Sequence, residues 1–442
     1  MFERIRLKNF KAWGEQLWDH GVELAPVTLL LGPNSAGKTS LLQVPLLLQQ
    51  TFLSPDRTLD LNFGGQAEDR LYLGGYQDVV CEHDITRNIG IGLRLRQNGS
   101  LCVDYTAEWL HRADHAESQL LEYRVDGNDY AAERQSRAGY KLRAPGYTAP
   151  VYGNREFRPE RSVAFSAEAV AELAEAKLLT QSQQIQDVAL KLRRAVAQIA
   201  YLGPLREPPR RTYLWADQNP GNLGDTGKQA VMALLASKYS RRKADDTGEF
   251  GPEWLVERTS HWLNRLGLAE RLELKQQGRS RHYEVQVRRG ASEEANLVDV
   301  GFGVSQVLPM IVLAHFVPRG TTIIAEQPEI HLHPRAQVGL AELMVEVAIS
   351  RDVQFIVETH SEHLFRRLQT LVARKVITPA QCRLYFVDRD ETGHPHLDRL
   401  ELDEFGRIAN WPDGFFGDSV GEMEQQMALM FDRMTGVSHD GQ

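Results

Sequence analysis

The chain has 442 residues, a formal net charge of −8 with its histidines neutral, 42% hydrophobic and 25% charged residues. That length allows two or three domains around a sizeable core, and the balance excludes a disordered or fibrous chain. No apolar run approaches the ~20 residues of a membrane span, and the acidic balance disfavours wholesale coating of nucleic acid, though not a local basic patch.

In chain order, Ile5, Leu7 and Phe10 open an alternating strand over Ile5–Lys11, and Val22–Leu24 forms a second. The start, Met1-Phe2-Glu3-Arg4-Ile5-Arg6, does not resemble a signal peptide. The scattered cysteines, Cys81, Cys102 and Cys382, fit reduced thiols of a cytoplasmic protein. An apolar strand, Val27-Thr28-Leu29-Leu30-Leu31, then runs into Gly32-Pro33-Asn34-Ser35-Ala36-Gly37-Lys38-Thr39 and a helix over Thr39–Gln50 that contains Pro45. Strand, G-x-x-x-x-G-K-[ST] and helix together are a P-loop. The glycines let the backbone curl so that several N–H groups face one anion, and the helix start adds unpaired N–H groups and its positive dipole end. Asn34, Ser35, Ala36, Gly37, Lys38, Thr39 and Ser40 are the expected phosphate contacts of ATP, with Lys38 reaching the β- and γ-phosphates and Thr39 holding Mg²⁺.

From about 60 to 160 the pattern is strands and turns. Ile89, Ile91, Leu93 and Leu95 alternate, and Leu101-Cys102-Val103 follows the turn Asn98-Gly99. Residues 111–160 are polar and rich in Arg, Gly and Tyr, which predicts a mobile or peripheral insertion. Gln77 is a candidate Mg²⁺- or water-contacting glutamine at a strand end, an exposed loop glutamine being the plainer reading.

Ser166–Ala200 is expected to be helical, with Ile185, Val188, Leu192, Val196 and Ile199 on one buried stripe and Gly203-Pro204 as the stop. No sustained heptads predict a coiled-coil arm. Helices over Gly227–Ser240 and Glu253–Leu266 and a hairpin of Leu272–Lys275 with His282–Arg288 follow, separated by a flexible loop over Lys243–Gly251. Arg206, Arg210 and Arg211, with Arg241 and Arg242, form basic clusters that suit DNA, RNA or an acidic partner, solvated surface being the default.

Four later stretches extend the P-loop chemistry. Asp299–Gln306, before an apolar helix Val307–Phe316, sets Gly303, Ser305 and Gln306 at a helix start, a second anion site far along the chain. One nucleotide cannot easily need both sites from one subunit, so two head-to-tail copies are expected. Thr321–Glu326 is an apolar strand ending in an acid, where Mg²⁺ is held through water. His331 and His333 precede Pro334; with no third ligand at metal spacing, a subunit-interface loop is the expectation. Phe355-Ile356-Val357-Glu358-Thr359 delivers His360, a donor toward the γ-phosphate.

In that order and spacing the chain resembles the ABC-type ATPase heads of the SMC, RecF and OLD group, well over about 1–60 and 295–370 and loosely between. Ile5-x-Leu7-x-Asn9-Phe10 is typical of that group. The resemblance implies that Gly301–Gln306 is the signature segment, Glu326 the Walker B acid, His331–Pro334 the D-loop and His360 the switch histidine. Tyr201–Arg206 and Trp411–Phe416 resemble a subfamily of bacterial AAA-family ATPases with an uncharacterised C-terminal domain. The wider group sits in anti-phage defence operons beside separate effectors.

One departure bears on chemistry. The usual acidic pair is here Glu326-Gln327. An amide cannot take a proton but can orient a water. Slow hydrolysis is therefore expected, with Glu329 as the alternative base. Asp388-x-Asp390 looks like a fragment of a metal-nuclease site, for which the chain after His360 is too short, and a plain turn is the expectation. Trp411–Phe416 would dock the tail and Val420–Met434 form a last helix.

The expected fold is thus α/β: a P-loop ABC-ATPase head with a mixed sheet and flanking helices, an inserted mainly helical lobe and a small C-terminal region. The boundaries are 1–160, 161–295, 296–387 and 388–442. The expected activity is a nucleotide switch that binds ATP and Mg²⁺, dimerises head-to-tail and controls a separate effector, without a membrane. The alternative is a RecF-like DNA-binding maintenance ATPase.

Overall fold

A computed structural model of the chain describes residues 1–56, 58–67, 69–97, 101–113, 115–136, 139–148, 157–240, 253–290 and 293–411. The first part carries β1 (Phe2–Lys8), β2 (Leu17–Glu23), β3 (Val27–Leu31), α1 (Lys38–Leu53) and a short α2 (Tyr76–Val79). Five strands follow: β4 (Ile89–Gln97), β5 (Leu101–Arg112), β6 (His115–Val125), β7 (Asn128–Ser136) and β8 (Gly139–Arg143). The middle holds α3 (Ala167–Glu175), α4 (Leu179–Ala197), β9 (Ile199–Leu202), β10 (Tyr213–Leu214), α5 (Ala230–Tyr239) and α6 (Trp254–Arg265). Next come β11 (Arg271–Gln276), β12 (His282–Arg289), β13 (Glu293–Asn296), α7 (Phe302–Phe316), β14 (Thr322–Glu326) and α8 (Pro334–Arg351). The last are β15 (Gln354–Glu358), α9 (Glu362–Ala373), β16 (Cys382–Arg389) and β17 (Pro395–Arg399).

The nucleotide sheet has six strands in the order β17-β16-β3-β15-β14-β9. All pair in parallel except β17, which runs antiparallel to β16. Its central strands are near-continuous apolar runs because both faces are covered. Alternate side chains go to different cores. Val27, Leu29, Leu31, Ile323, Ala325, Phe355 and Val357 join one with α7 and α8. Leu30, Ile324 and Ile356 join the other, with α1 and the second sheet.

That second sheet has seven antiparallel strands in the order β2-β1-β4-β5-β6-β7-β8. It corrects the expectation of a peripheral insertion over 111–160, since β6, β7 and β8 complete it. Two tyrosines of that stretch are core, Tyr123 and Tyr130, as is Tyr105 on β5, each at most 1% exposed. Each phenol finds a partner, as a buried hydroxyl must; Tyr105 donates to the Ser162 carbonyl at 2.7 Å.

The expected single helix over Ser166–Ala200 is two helices and a strand. Ser166 caps α3 by accepting from Ala169 N, and Lys177, at φ +62°, breaks the chain before α4. Ile185, Val188, Leu192 and Val196 are buried on α4, but Ile199 belongs to β9, which pairs with β14. The segment 161–295 therefore lends a strand to the nucleotide sheet. Its remainder builds a small sheet in which β12 pairs with β10, β11 and β13. β17 lies beyond residue 388, so that boundary also cuts the sheet. Trp411 packs edge-on to Phe365 at 5.6 Å. The rest of the Trp411–Phe416 stretch, the helix expected over Val420–Met434, Arg241 and Arg242, the Lys243–Gly251 loop and the Asn98-Gly99 turn lie outside the described residues. Among the described residues no helix is long and apolar enough to cross a membrane.

Candidate nucleotide site

β3 delivers the P-loop at the C-terminal edge of the parallel strands, where such sheets bind ligands. Gly37 caps α1 in the left-handed region at φ +110°, so the helix begins on Lys38. The loop is braced from both sides. Trp13 Nε1 donates to the Gly37 carbonyl at 3.0 Å, and Arg389 Nη2 donates to the Ser35 carbonyl at 2.8 Å. A Cβ on Gly32 would lie 1.9 Å from the Val387 carbonyl oxygen of β16, so only glycine lets that strand approach. Pro33, Asn34 and Ser35 are exposed, while Ala36, Lys38 and Ser40 are buried.

Beneath the loop, Lys38 Nζ donates to the carbonyls of Gly32 at 3.0 Å and Pro33 at 2.6 Å. It also lies 3.8 Å from Glu358 Oε1. Thr39 Oγ1 donates to Glu358 Oε2 at 2.8 Å. Burial lowers the Lys38 ammonium from its ordinary range, and Glu358 opposes that shift.

Glu358 ends β15 as Glu326 ends β14, and the two are register partners across parallel strands. Tyr201 on β9 donates its hydroxyl to Glu326 Oε1 at 2.7 Å. Burial raises the Glu326 carboxyl, the Tyr201 bond opposes this, and neighbouring Glu358 adds to the rise. Thr39, Glu326 and Glu358 form an all-oxygen donor set of the kind that could hold Mg²⁺. After Glu326 the chain turns sharply: Gln327 takes φ +44° and donates its N–H to the Glu358 carbonyl at 2.8 Å. Glu329, 7% exposed, accepts from His360 N at 2.8 Å through Oε1, while its Oε2 is buried without a partner. Asn34, Gln327, Glu329, Ile330 and His360 line one cleft of 330 Å³. The fold thus brings the P-loop, the end of β14 and His360 together.

Other expected residues stand elsewhere. Gly303, Ser305 and Gln306 lie within α7, which starts earlier than expected, at Phe302. Ser305 is 7% exposed and donates to the Phe302 carbonyl at 2.9 Å, so within one copy it does not line the P-loop cleft. Phe302 is 71% exposed at that helix start, 6.1 Å from the exposed His331 ring. His333 is the N-cap of α8 and accepts from Arg335 N. Among the described residues no cluster of three or more His, Cys, Asp or Glu could hold a metal. Gln77 is exposed on the helical turn α2, not at a strand end; Gly75 and Asp78 form a capping arrangement that winds the turn. Asp390 closes a turn by accepting from Thr392 and His394 N–H groups, as expected of a plain turn. The basic cluster of Arg206, Arg210 and Arg211 shares no single face. Arg210 pairs with Glu207, Arg211 pairs bidentately with Asp299, and Arg206 is buried.

Glu358, Tyr201 and Arg206 were not legible as site residues. Glu358 carried a usable signal, since it closes an apolar strand just as Glu326 does. Tyr201 and Arg206 stood out only as part of a family-like run and a basic cluster, because only the pairing of β9 with β14 brings that run to the acid strand.

Residues 199–366 match the family described as "AAA domain, putative AbiEii toxin, Type IV TA system". Residues 377–426 match "Protein of unknown function (DUF3696)". No curated protein matches the chain. Among solved structures, the SMC head domain from Thermotoga maritima is 14% identical, with TM-score 0.43 over 90% of this chain and 99% of that one. An SmcHead bound to the C-winged helix domain of ScpA gives 11% identity and TM-score 0.46 over 91% and 98%. The Pyrococcus furiosus Smc head with an extended coiled coil, bound to the C-terminal domain of ScpA, gives 10% and 0.42 over 97% and 99%. The match to an AAA domain family thus lies over 199–366, and the chain itself builds an α/β fold with a P-loop at the C-terminal edge of its parallel strands.

Proposed function

We infer that this chain binds ATP with Mg²⁺, pairs head-to-tail with a second copy when loaded, hydrolyses ATP slowly, and so acts as a nucleotide switch over a separate effector in anti-phage defence. The observation that carries the reading is the convergence of Lys38 and Thr39 on Glu358, with Glu326 in the next strand, directly under the P-loop. Thr39, Glu326 and Glu358 would hold Mg²⁺, which when bound neutralises charge on the phosphate oxygens. The loop's N–H groups, the α1 dipole and Lys38 hold and orient the triphosphate. His360 opens on the same cleft and can donate toward the terminal phosphate.

Pairing is supported by the α7 start. Phe302 leaves a large apolar side chain in water beside His331, on the two segments that the resemblance assigns to the facing copy. Ser305 would turn from its own helix to the other copy's nucleotide. Slow turnover is supported by Gln327, whose amide orients water but accepts no proton. The effector and the defence role rest on the resemblance and on the toxin-system wording of the matched family.

Light scattering with and without ATP tests the switch. The wild type should double in mass with ATP, and Lys38→Ala and Ser305→Arg should each abolish the change. An unchanged mass in the wild type would end the pairing reading, and undetectable ATP binding would end the nucleotide reading.

A further inference from the structure

Glu326 is held by a chain of groups that reaches back to the P-loop helix. Tyr201 donates its hydroxyl to Glu326 Oε1 at 2.7 Å. That bond fixes one carboxylate oxygen and leaves the other available to a cation. Packing alone would be served by a phenylalanine at 201; the hydroxyl adds the bond to the acid. The Tyr201 ring is fixed in turn. The Arg70 guanidinium lies over it, 5.6 Å from the ring centroid. Arg70, on the loop between α1 and α2, takes partners from two further segments. Its Nε lies 2.9 Å from both carboxylate oxygens of Asp225, and its Nη1 donates to Gln49 Oε1. Gln49 sits near the C-terminal end of α1, 4% exposed, and donates to the carbonyls of Val196 at 2.9 Å and Ile199 at 2.8 Å. The amide that receives Arg70 therefore also ties β9, and with it Tyr201, to the helix that opens on Lys38. Asp225 closes the circuit, since its carbonyl accepts from Gly203 N at 2.8 Å, just past the end of β9.

We propose that Tyr201 is the positioning residue for Glu326 in the Mg²⁺ site, and that Arg70 is the brace that keeps Tyr201 in place. This rests on the ATP and Mg²⁺ reading above. A glutamate at a strand end samples several rotamers when nothing holds it, and each wrong one removes an oxygen from the set with Thr39 and Glu358. The Tyr201 hydroxyl selects one. Hydrogen-bond partners that orient a ligand are worth about ten- to a hundredfold in metal affinity. The brace has a second consequence. Arg70 gathers α1, its own loop and the loop that carries Asp225, so displacing either loop loosens the acid. Lys38 finds its partners elsewhere, in Gly32, Pro33 and Glu358. The network thus sets Mg²⁺ affinity apart from phosphate affinity.

Calorimetry of ATP binding by the full chain, over a Mg²⁺ series and in EDTA, tests this. Tyr201→Phe removes the hydroxyl and keeps the ring. It should raise the Mg²⁺ concentration needed for tight ATP binding about tenfold or more, with affinity in EDTA within about twofold of wild type. Glu326→Gln should lose at least as much, and adding Tyr201→Phe to it should cost nothing further, because a positioning residue acts only through its target. Arg70→Met should raise the Mg²⁺ requirement about threefold, the worth of one cation–π contact, and should add nothing to Tyr201→Phe. An unchanged Mg²⁺ requirement in Tyr201→Phe, or an equal loss of affinity with Mg²⁺ and in EDTA, would overturn the positioning role. An Arg70→Met loss that multiplies with that of Tyr201→Phe would overturn the brace. Should Arg70→Met not fold, Asp225→Asn, which ends the ion pair and keeps the side-chain shape, carries the same arm. A wild type whose ATP affinity is equal in Mg²⁺ and EDTA would instead sink the Mg²⁺ reading, and one that binds no ATP the nucleotide reading.

Discussion

The two halves of the nucleotide site differ in how far the folded chain satisfies them without a ligand. Under the P-loop, Lys38 has two carbonyls and Glu358 for partners, and Thr39 closes the set. Around the acid turn, Glu329 and Arg206 keep unpaired buried atoms, and both Gln327 and His331 hold positive φ. A phosphate cradle can stand ready because its cation is internally neutralised until an anion displaces the partner. Unpaired buried atoms gather around the acid turn, while left-handed non-glycine residues occur on both sides, Gln327 and His331 there and Ser35 in the P-loop.

Breaking the satisfied half should have the largest effects. Lys38→Ala removes the phosphate cation and leaves Glu358 buried with Thr39 alone. ATP affinity should fall about a thousandfold, roughly 4 kcal/mol, by calorimetry. Binding within tenfold of wild type would erase the contrast. Gly32→Ala drives a methyl into the Val387 carbonyl. It should cost about 3 kcal/mol in urea unfolding, with loss of ATP binding, because backbone rather than a flexible side chain must move. Glu358→Gln keeps an acceptor for Thr39 but ends the charge pair with Lys38. The Mg²⁺ dependence of ATP binding should weaken about tenfold, about 1.4 kcal/mol. Around the acid turn, Gln327→Gly relieves a left-handed residue and should change stability by less than about 1 kcal/mol, while hydrolysis slows. A large stability loss there would show that the glutamine is structural.

The same contrast explains what could be seen before the fold. The P-loop is eight contiguous residues whose geometry is local, so spacing alone located Lys38 and Thr39. Glu326 and His360 were legible because each follows an apolar strand. Arg206 was misplaced for a physical reason: in sequence it stands with Arg210 and Arg211, and surface charge is the ordinary fate of such clusters, yet strand pairing carries it inward. The stretch 111–160 misled because its composition is polar and rich in Arg, Gly and Tyr. Strand alternation puts Tyr123 and Val125 inside the sheet and Arg124 outside it, and composition alone does not reveal that order.

The pairing of β3 fixes when this site can exist during synthesis. The P-loop strand spans Val27–Leu31, but its two neighbours in the sheet are β15, from Gln354, and β16, from Cys382. A nascent chain therefore carries Val27–Leu31 with both edges unpaired until nearly all of the sheet has left the ribosome, a non-local closure that folds slowly and invites wrong pairing. No truncated product ending before β15 can assemble the sheet under the P-loop, so a message cut short yields no partly built site.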